Sequence, residues 1–190
     1  AEEDFFGLRI GQWGALWVTV SGNLPCGKHT IRILLKANGE KVGEVEYSLT
    51  VLSEKLPESE LRYAHWMHYD CISQKHNVPP NGKKYEKIVE RYLRNAAAHG
   101  TNVCFVPLFT PPLNTAVGIY RQCVQLVDVK AEDGHWTFGF GRVLKFMRLA
   151  QRCGMKYFEM SHLFTQWGAE HPPLIMAEKD GAQERVFGWQ

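Results

Sequence analysis

The 190 residues contain no apolar run of the roughly 18 residues needed to span a bilayer, so a membrane-spanning helix is excluded. Charge of one sign is also scarce. The 22 basic and 20 acidic residues are interspersed and leave a net charge of +2, which offers no one-sided basic surface and argues against a nucleic-acid partner. None of the five cysteines, Cys26, Cys71, Cys104, Cys123 and Cys153, belongs to a C-x-x-C pair, which excludes a zinc ribbon and a dithiol redox motif. Their odd number and the apolar surroundings of three of them read as free thiols. Unpaired thiols point to a reducing compartment, unless an export signal lies upstream. The opening Ala1-Glu2-Glu3-Asp4-Phe5-Phe6 has neither a basic n-region nor an apolar h-region, so no secretory signal is visible in it. Neither G-x-G-x-x-G nor a Walker loop occurs, and the long loops carry proline and aromatics, which disfavours a phosphate cradle. What remains is a composition 45% hydrophobic and 22% charged, enough to bury a core. The aromatic share, 12% with six Trp, is high, and aromatic faces suit both cores and the apolar faces of sugar rings.

The first fifty residues read as β. Leu16-Trp17-Val18-Thr19-Val20 is one strand candidate, with Trp17 as core. Thr30 to Ala37 alternates with Ile31, Ile33 and Leu35 on one face, Asn38-Gly39 supplies a hairpin turn, and Val45, Tyr47, Leu49 and Val51 alternate on the return. Three such strands need a covering layer, so residues 1–56 are expected to be the C-terminal part of a β-sandwich. Ser53 to Ser59 is polar, contains Pro57 and is the linker candidate.

From Leu61 strand and helix alternate. Leu61 to Asp70 is expected as a strand. Lys84 to His99 is expected as a helix, with Tyr85, Ile88, Val89, Tyr92, Leu93 and Ala96 on one face and Gly100 ending it. Thr101 to Phe109 is the next strand. Phe140, Val143, Leu144, Met147 and Ala150 repeat the helical spacing until Gly154, and Met155 to Phe164 is the third strand. This βαβαβ order requires a parallel sheet. The helix-to-strand joints are short and the strand-to-helix joints long, so the elaborated loops sit at strand C-terminal ends, where parallel α/β folds build their sites. The longer loop holds a hairpin of its own, Gln125 to Lys130 and His135 to Phe140 around Glu132-Asp133-Gly134.

Two stretches carry candidate chemistry. In Ala64-His65-Trp66-Met67-His68-Tyr69-Asp70, period-two geometry puts Trp66, His68 and Asp70 on one face. They serve a ligand there, or His68 and Asp70 bond one another and a loop backbone as structural support. His-x-Asp on a strand also suits zinc, but two ligands are too few for a metal site. Further along, Glu159 lies in an otherwise apolar strand, and an unpaired buried carboxylate is costly, so it is paired or functional. Trp167, after the strand end and next to Gln166, Glu170 and His171, has the makeup of a carbohydrate subsite: an aromatic face for the ring and polar groups for hydroxyls. A core Trp is the plainer reading of Trp167. Pro107 and Thr110-Pro111-Pro112 read as loop rigidity.

Trp66-Met67-His68-Tyr69-Asp70-Cys71, His99-Gly100-Thr101-Asn102, Gln125-Leu126-Val127-Asp128-Val129 and, above all, the run from Tyr157-Phe158-Glu159-Met160-Ser161-His162 through Thr165-Gln166-Trp167-Gly168-Ala169-Glu170-His171 resemble the first half of the catalytic domain of glycoside hydrolase family 123. Leu16 to Val20 and Leu49-Thr50-Val51-Leu52 are similar to the β-sandwich preceding it. The resemblance implies an α/β fold in which residues 60–190 form the N-terminal part of a (β/α)8 barrel, about its first three strands. It implies hydrolysis of terminal β-linked N-acetylgalactosamine by a retaining mechanism in which the substrate's acetamido oxygen attacks the anomeric carbon. An Asp orients the acetamide and an adjacent Glu protonates the leaving oxygen, a scheme distinct from the two-carboxylate nucleophile route. The family's Asp-Glu pair follows the Trp-Gly-Ala-Glu-His segment. Within 1–190 neighbouring acids occur only at Glu2-Glu3-Asp4 and Glu132-Asp133, at a terminus and in a turn. A closed barrel needs on the order of 250 residues. The expectation is therefore a fragment without its catalytic acids, with Trp66, His68, Asp70, Glu159, His162, Gln166 and Trp167 binding a carbohydrate substrate, and with no metal and no cofactor. The alternatives are a non-catalytic carbohydrate-binding barrel relative and, behind it, a metal-dependent hydrolase.

Overall fold

Asn38 and Gly39 both take positive φ, 52° and 88°, and fold β1 (Gly27–Ala37) back onto β2 (Glu40–Val51) as an antiparallel hairpin. In this computed structural model residues 11–57, 59–111, 121–164 and 172–187 are described. The chain divides into two compact units, Ala1–Ser59 and Glu60–Gln190. In the first unit, Ile31 faces Tyr47 and Ile33 faces Val45 across the hairpin, as the alternation requires, while Arg32 pairs with Glu46 at 2.7 Å on the other face. The expected strand Leu16 to Val20 does not form: these residues pair with nothing among the described residues, and Trp17 is exposed rather than core. Apolar alternation is a preference for a pleated surface, and without a neighbouring edge to take its N–H and C=O groups it stays irregular.

In the second unit, β3 (Ala64–His65), β4 (Val103–Val106) and β7 (Tyr157–Met160) form a parallel sheet in the order β3-β4-β7. The connections are α2 (Lys83–Ala98) and α3 (Gly141–Arg152), close to the expected helices. Val89 and Leu93 of α2, Ala150 of α3, and Cys104 and Phe105 of β4 share one buried core with Tyr69, Ile72, Val124, Cys153 and Met155. On α3 the buried face runs Val143, Phe146, Met147 and Ala150, while Phe140 and Leu144 are exposed. Gly154 ends α3 at φ 104°, and a Cβ on it would lie 3.2 Å from Ala97 of α2. The short joint therefore needs glycine for its backbone and for the closeness of the two helices.

The expected strand from Leu61 to Asp70 is the main correction. Only Ala64 and His65 pair, and the chain turns into α1 (Tyr69–His76) with His68 as N-cap and Asp70 in the first turn. A carboxylate there is favoured by the unpaired helix N–H groups, so period-two geometry does not govern Trp66, His68 and Asp70.

The segment that leaves β4 and the segment that leaves β7 join one another. The hairpin of β5 (Asp128–Glu132) and β6 (His135–Gly139) turns at Asp133-Gly134, as expected. A second hairpin, β8 (Ile175–Lys179) and β9 (Ala182–Phe187), turns at Asp180-Gly181, and β8 pairs parallel to β5. The result is a four-stranded sheet in the order β6-β5-β8-β9. Val129 and Ala177 of this sheet pack with Val106, Val127 and Val143. Buried Gln125 fastens it, donating to the carbonyls of Val127 and Met176 and accepting from the Met176 N–H at 2.9 Å. Among the described residues no helix is long and apolar enough to cross a membrane. The mixed sheets and helices place the unit in the α/β class.

Gly154→Ala is expected to destabilise the protein by about 1–2 kcal/mol, from the left-handed backbone alone. Gly141→Ala, at an ordinary φ with open space around it, is expected to be neutral or slightly stabilising. Urea denaturation followed by far-ultraviolet circular dichroism separates the two.

Candidate functional site

The parallel register sets Phe105 beside Glu159 and places Trp66, one residue beyond the His65–Cys104 pair, level with both. The indole of Trp66 stacks on the Phe105 ring with centroids 5.2 Å apart and planes 27° apart. Reaching across β4, it donates its N–H to Glu159 Oε2 at 2.9 Å. The His162 ring lies 6.1 Å from the indole, tilted by 33°. Three expected site residues, Trp66, Glu159 and His162, thus converge at the C-terminal ends of the strands. Trp66 stays 41% exposed, so it presents an open aromatic surface backed by a buried ring. Beside it, Ser161 Oγ and His162 Nε2 are buried without a hydrogen-bond partner among the described residues, the kind of polar group that a folded protein normally satisfies.

His68 and Asp70 belong to a different cluster, organised by a residue that carries no motif. Arg121 grips Asp70 with two bonds, Nε to Oδ2 at 2.7 Å and an Nη2 hydrogen to Oδ1 at 3.0 Å. The same nitrogen donates to His68 Nδ1 at 2.6 Å and to Cys71 Sγ at 3.2 Å. The Arg121 and Asp70 side chains are only 14% and 6% exposed, so the ion pair is largely withdrawn from water and needs its fork geometry. His68 Nδ1 accepts, which leaves the other ring nitrogen to carry the hydrogen of a neutral imidazole. Burial, followed by the Arg121 charge, holds the His68 pKa below its ordinary value of 6.5, against the opposing pull of Asp70. The support role weighed for His68 and Asp70 is therefore met through Arg121 and not by a bond between them.

His68, Asp70 and Cys71 bring ligand atoms within 4.8 Å of one another, a spacing a metal could use. The guanidinium of Arg121 already touches all three with a positive charge. A cation would meet like charge there, and the set does not fit a metal.

Behind these clusters Tyr69 donates to the Phe105 carbonyl at 2.9 Å, and Tyr85 donates to the Tyr69 carbonyl at 3.1 Å. Burial raises the pKa of both phenols, so they remain protonated donors. A cavity of about 480 Å³ lies between α2 and α3 over Tyr69, Tyr85, Val89 and Phe146. Among the described residues, Trp66, His68, Asp70, Glu159 and His162 do not line it. Gln166 and Trp167 lie outside the described residues.

With this geometry in place, residues 66–190 match the model of the glycoside hydrolase 123 catalytic domain. The chain belongs to glycoside hydrolase family 123. The matched segment begins at Trp66, the residue that opens the strand-end cluster, and takes in the parallel sheet's two crossovers and the four-stranded excursion sheet. No curated protein matches the chain.

The Arg121 cluster makes a pH-dependent contribution. His68 is held below 6.5 when folded, so the unfolded chain binds its proton first, and stability is expected to be complete above about pH 6.5 and to decline as pH falls. Arg121→Met removes one cause of the depression and leaves Asp70 buried without its partner. The variant is expected to lose about 3–5 kcal/mol and, where it stays folded, to raise the His68 midpoint. Proton NMR titration of the imidazole, with urea midpoints at several pH values, checks both.

Proposed function

We propose that this family 123 chain forms the sugar-binding part of a glycosidase that removes terminal β-linked N-acetylgalactosamine with retention, through attack by the substrate's own acetamido oxygen. The observation that carries this reading is the Trp66–Phe105–Glu159 row, inside a family of glycoside hydrolases and at the strand ends where parallel α/β folds hold their ligands. Trp66 offers a ring face to the apolar side of the sugar, Phe105 stiffens it from behind, and Glu159 fixes its rotation through the indole N–H. His162, and Gln166 and Trp167 further along the chain, are the residues we assign to the hydroxyls and to a second ring face. His68 and Asp70 act on this pocket indirectly, through the start of α1.

The reaction also requires an Asp that orients the acetamide and a Glu that protonates the leaving oxygen. Glu132 and Asp133 cannot serve: Glu132 ends β5 and Asp133 opens the β5–β6 turn in the left-handed conformation, with both side chains exposed. The proposal therefore assigns residues 1–190 to binding and the pair to a longer parent. The metal-dependent alternative is disfavoured by the Arg121 guanidinium among its would-be ligands.

An aryl β-N-acetylgalactosaminide tests this. Residues 1–190 are expected to give no turnover, and turnover by them alone would falsify the division of labour. The longer parent is expected to hydrolyse the substrate, and inactivity there removes the enzymatic reading in favour of a carbohydrate-binding relative. In the parent, Trp66→Ala is expected to reduce kcat/KM by tenfold or more, and Trp66→Phe, which keeps a ring but loses the bond to Glu159, by less.

A further inference from the structure

The pocket uses only part of the aromatic surplus, and a second aromatic surface lies on the four-stranded sheet. That sheet is spliced from two excursions, one leaving the C-terminal end of β4 and the other the C-terminal end of β7. The same two strands carry Phe105 and Glu159, the residues on which Trp66 stacks and to which it donates. The sheet is therefore an extension of the end of the fold at which a sugar is proposed to bind.

Its two edge strands each contribute an exposed ring. Trp136 on β6 pairs in register with buried Ala131 on β5, and Phe187 closes β9 on the opposite edge. On the face that carries Trp136, the central strands place Ala131 beside it and, further along, Ala177 in the core with Val106 and Val143. The rings meet with centroids 6.4 Å apart and planes tilted by 36°, while Trp136 and Phe187 remain 45% and 53% exposed. Exposed large aromatics held edge to edge are costly in water unless they have a use. Two rings in a shallow V present adjacent apolar faces, a shape that suits the C–H faces of a sugar.

We infer that Trp136 and Phe187 form an outer carbohydrate subsite, which holds sugar units beyond the terminal N-acetylgalactosamine placed on Trp66. The inference rests on the proposed function, since it is the pocket that makes a glycan the occupant. It assigns to the excursion sheet a preference for oligosaccharides over short aglycones.

Two ligands titrated into 15N-labelled protein test the subsite: methyl β-N-acetylgalactosaminide, and a tetrasaccharide ending in β-linked N-acetylgalactosamine. The six indole N–H resonances report separately on Trp66 and Trp136. Both ligands are expected to move the Trp66 resonance, but only the tetrasaccharide the Trp136 resonance, and the tetrasaccharide is expected to bind about tenfold more tightly. Phe187→Ala is expected to reduce that advantage to near parity without altering binding of the methyl glycoside, and because wild-type resonances carry the primary readout the test survives a poorly folded variant. If both ligands move Trp66 with equal affinity and Trp136 stays fixed, the outer subsite is overturned and the pocket stands. If neither ligand moves Trp66, the pocket and the subsite are lost together. A Trp136 shift that depends on protein concentration and ignores the tetrasaccharide identifies a face between copies of this chain, which also overturns the proposal.

Discussion

The fork of Arg121 on Asp70 is the constraint from which the rest of the site follows. β3 is two residues long and its ladder cannot by itself direct the chain that leaves it. The direction is set by the start of α1, where Asp70 lies in the first turn and His68 caps it, and Arg121 holds both from a segment some fifty residues later. With that corner fixed, Trp66 is held between a strand too short to slip and a helix that cannot unwind cheaply. Its indole then lies on Phe105 and reaches Glu159. A carboxylate and a guanidinium withdrawn from water tolerate few alternative arrangements, because any geometry that breaks the fork leaves a buried charge uncompensated.

What was legible in the sequence divides along physical lines. The helices were legible because burial of one face imposes a repeat: Val89, Leu93 and Ala96 follow it, and Gly100 and Gly154 end the helices with positive φ. The β1–β2 and β5–β6 hairpins were legible because their turns need particular residues. The Asp180-Gly181 turn carries the same chemistry, between Ile175–Lys179 and Ala182–Phe187. The break after His65 was hidden for a different reason. Trp66 to Asp70 alternates as a strand does, and the partner that turns it into a helix start, Arg121, is remote in sequence and carries no motif. Trp17 shows the converse, a strand-like pattern with no edge to pair with.

Of the candidate site, the residues that could be foreseen are those whose type is anomalous for their position. Glu159 in an apolar strand had to be paired, and its partner is the Trp66 indole. His68 and Asp70 were anomalous too, but the spacing argument gave them the wrong company. The rule that buried polar groups find partners held for all three, while the identity of those partners depended on topology. Ser161 and Gln125 could not be foreseen, since a serine and a glutamine are unremarkable until burial makes their hydrogen bonds a question.

The pairing of β5 with β8 joins two hairpins into one sheet. Two excursions leaving different strands have no local reason to meet, and the joint between them is short, only Lys130–Glu178 and Ala131–Lys179 in register. It holds because Gln125 satisfies backbone groups on both sides and because Ala177 and Val129 share the core of Val106 and Val143. The excursion sheet is therefore tied to β4 through buried apolar contacts, and its two hairpins to one another through a buried amide. Phe105, against which Trp66 stacks, and Val106, on which the excursion sheet rests, are neighbours on β4, so both surfaces are built on the same short strand.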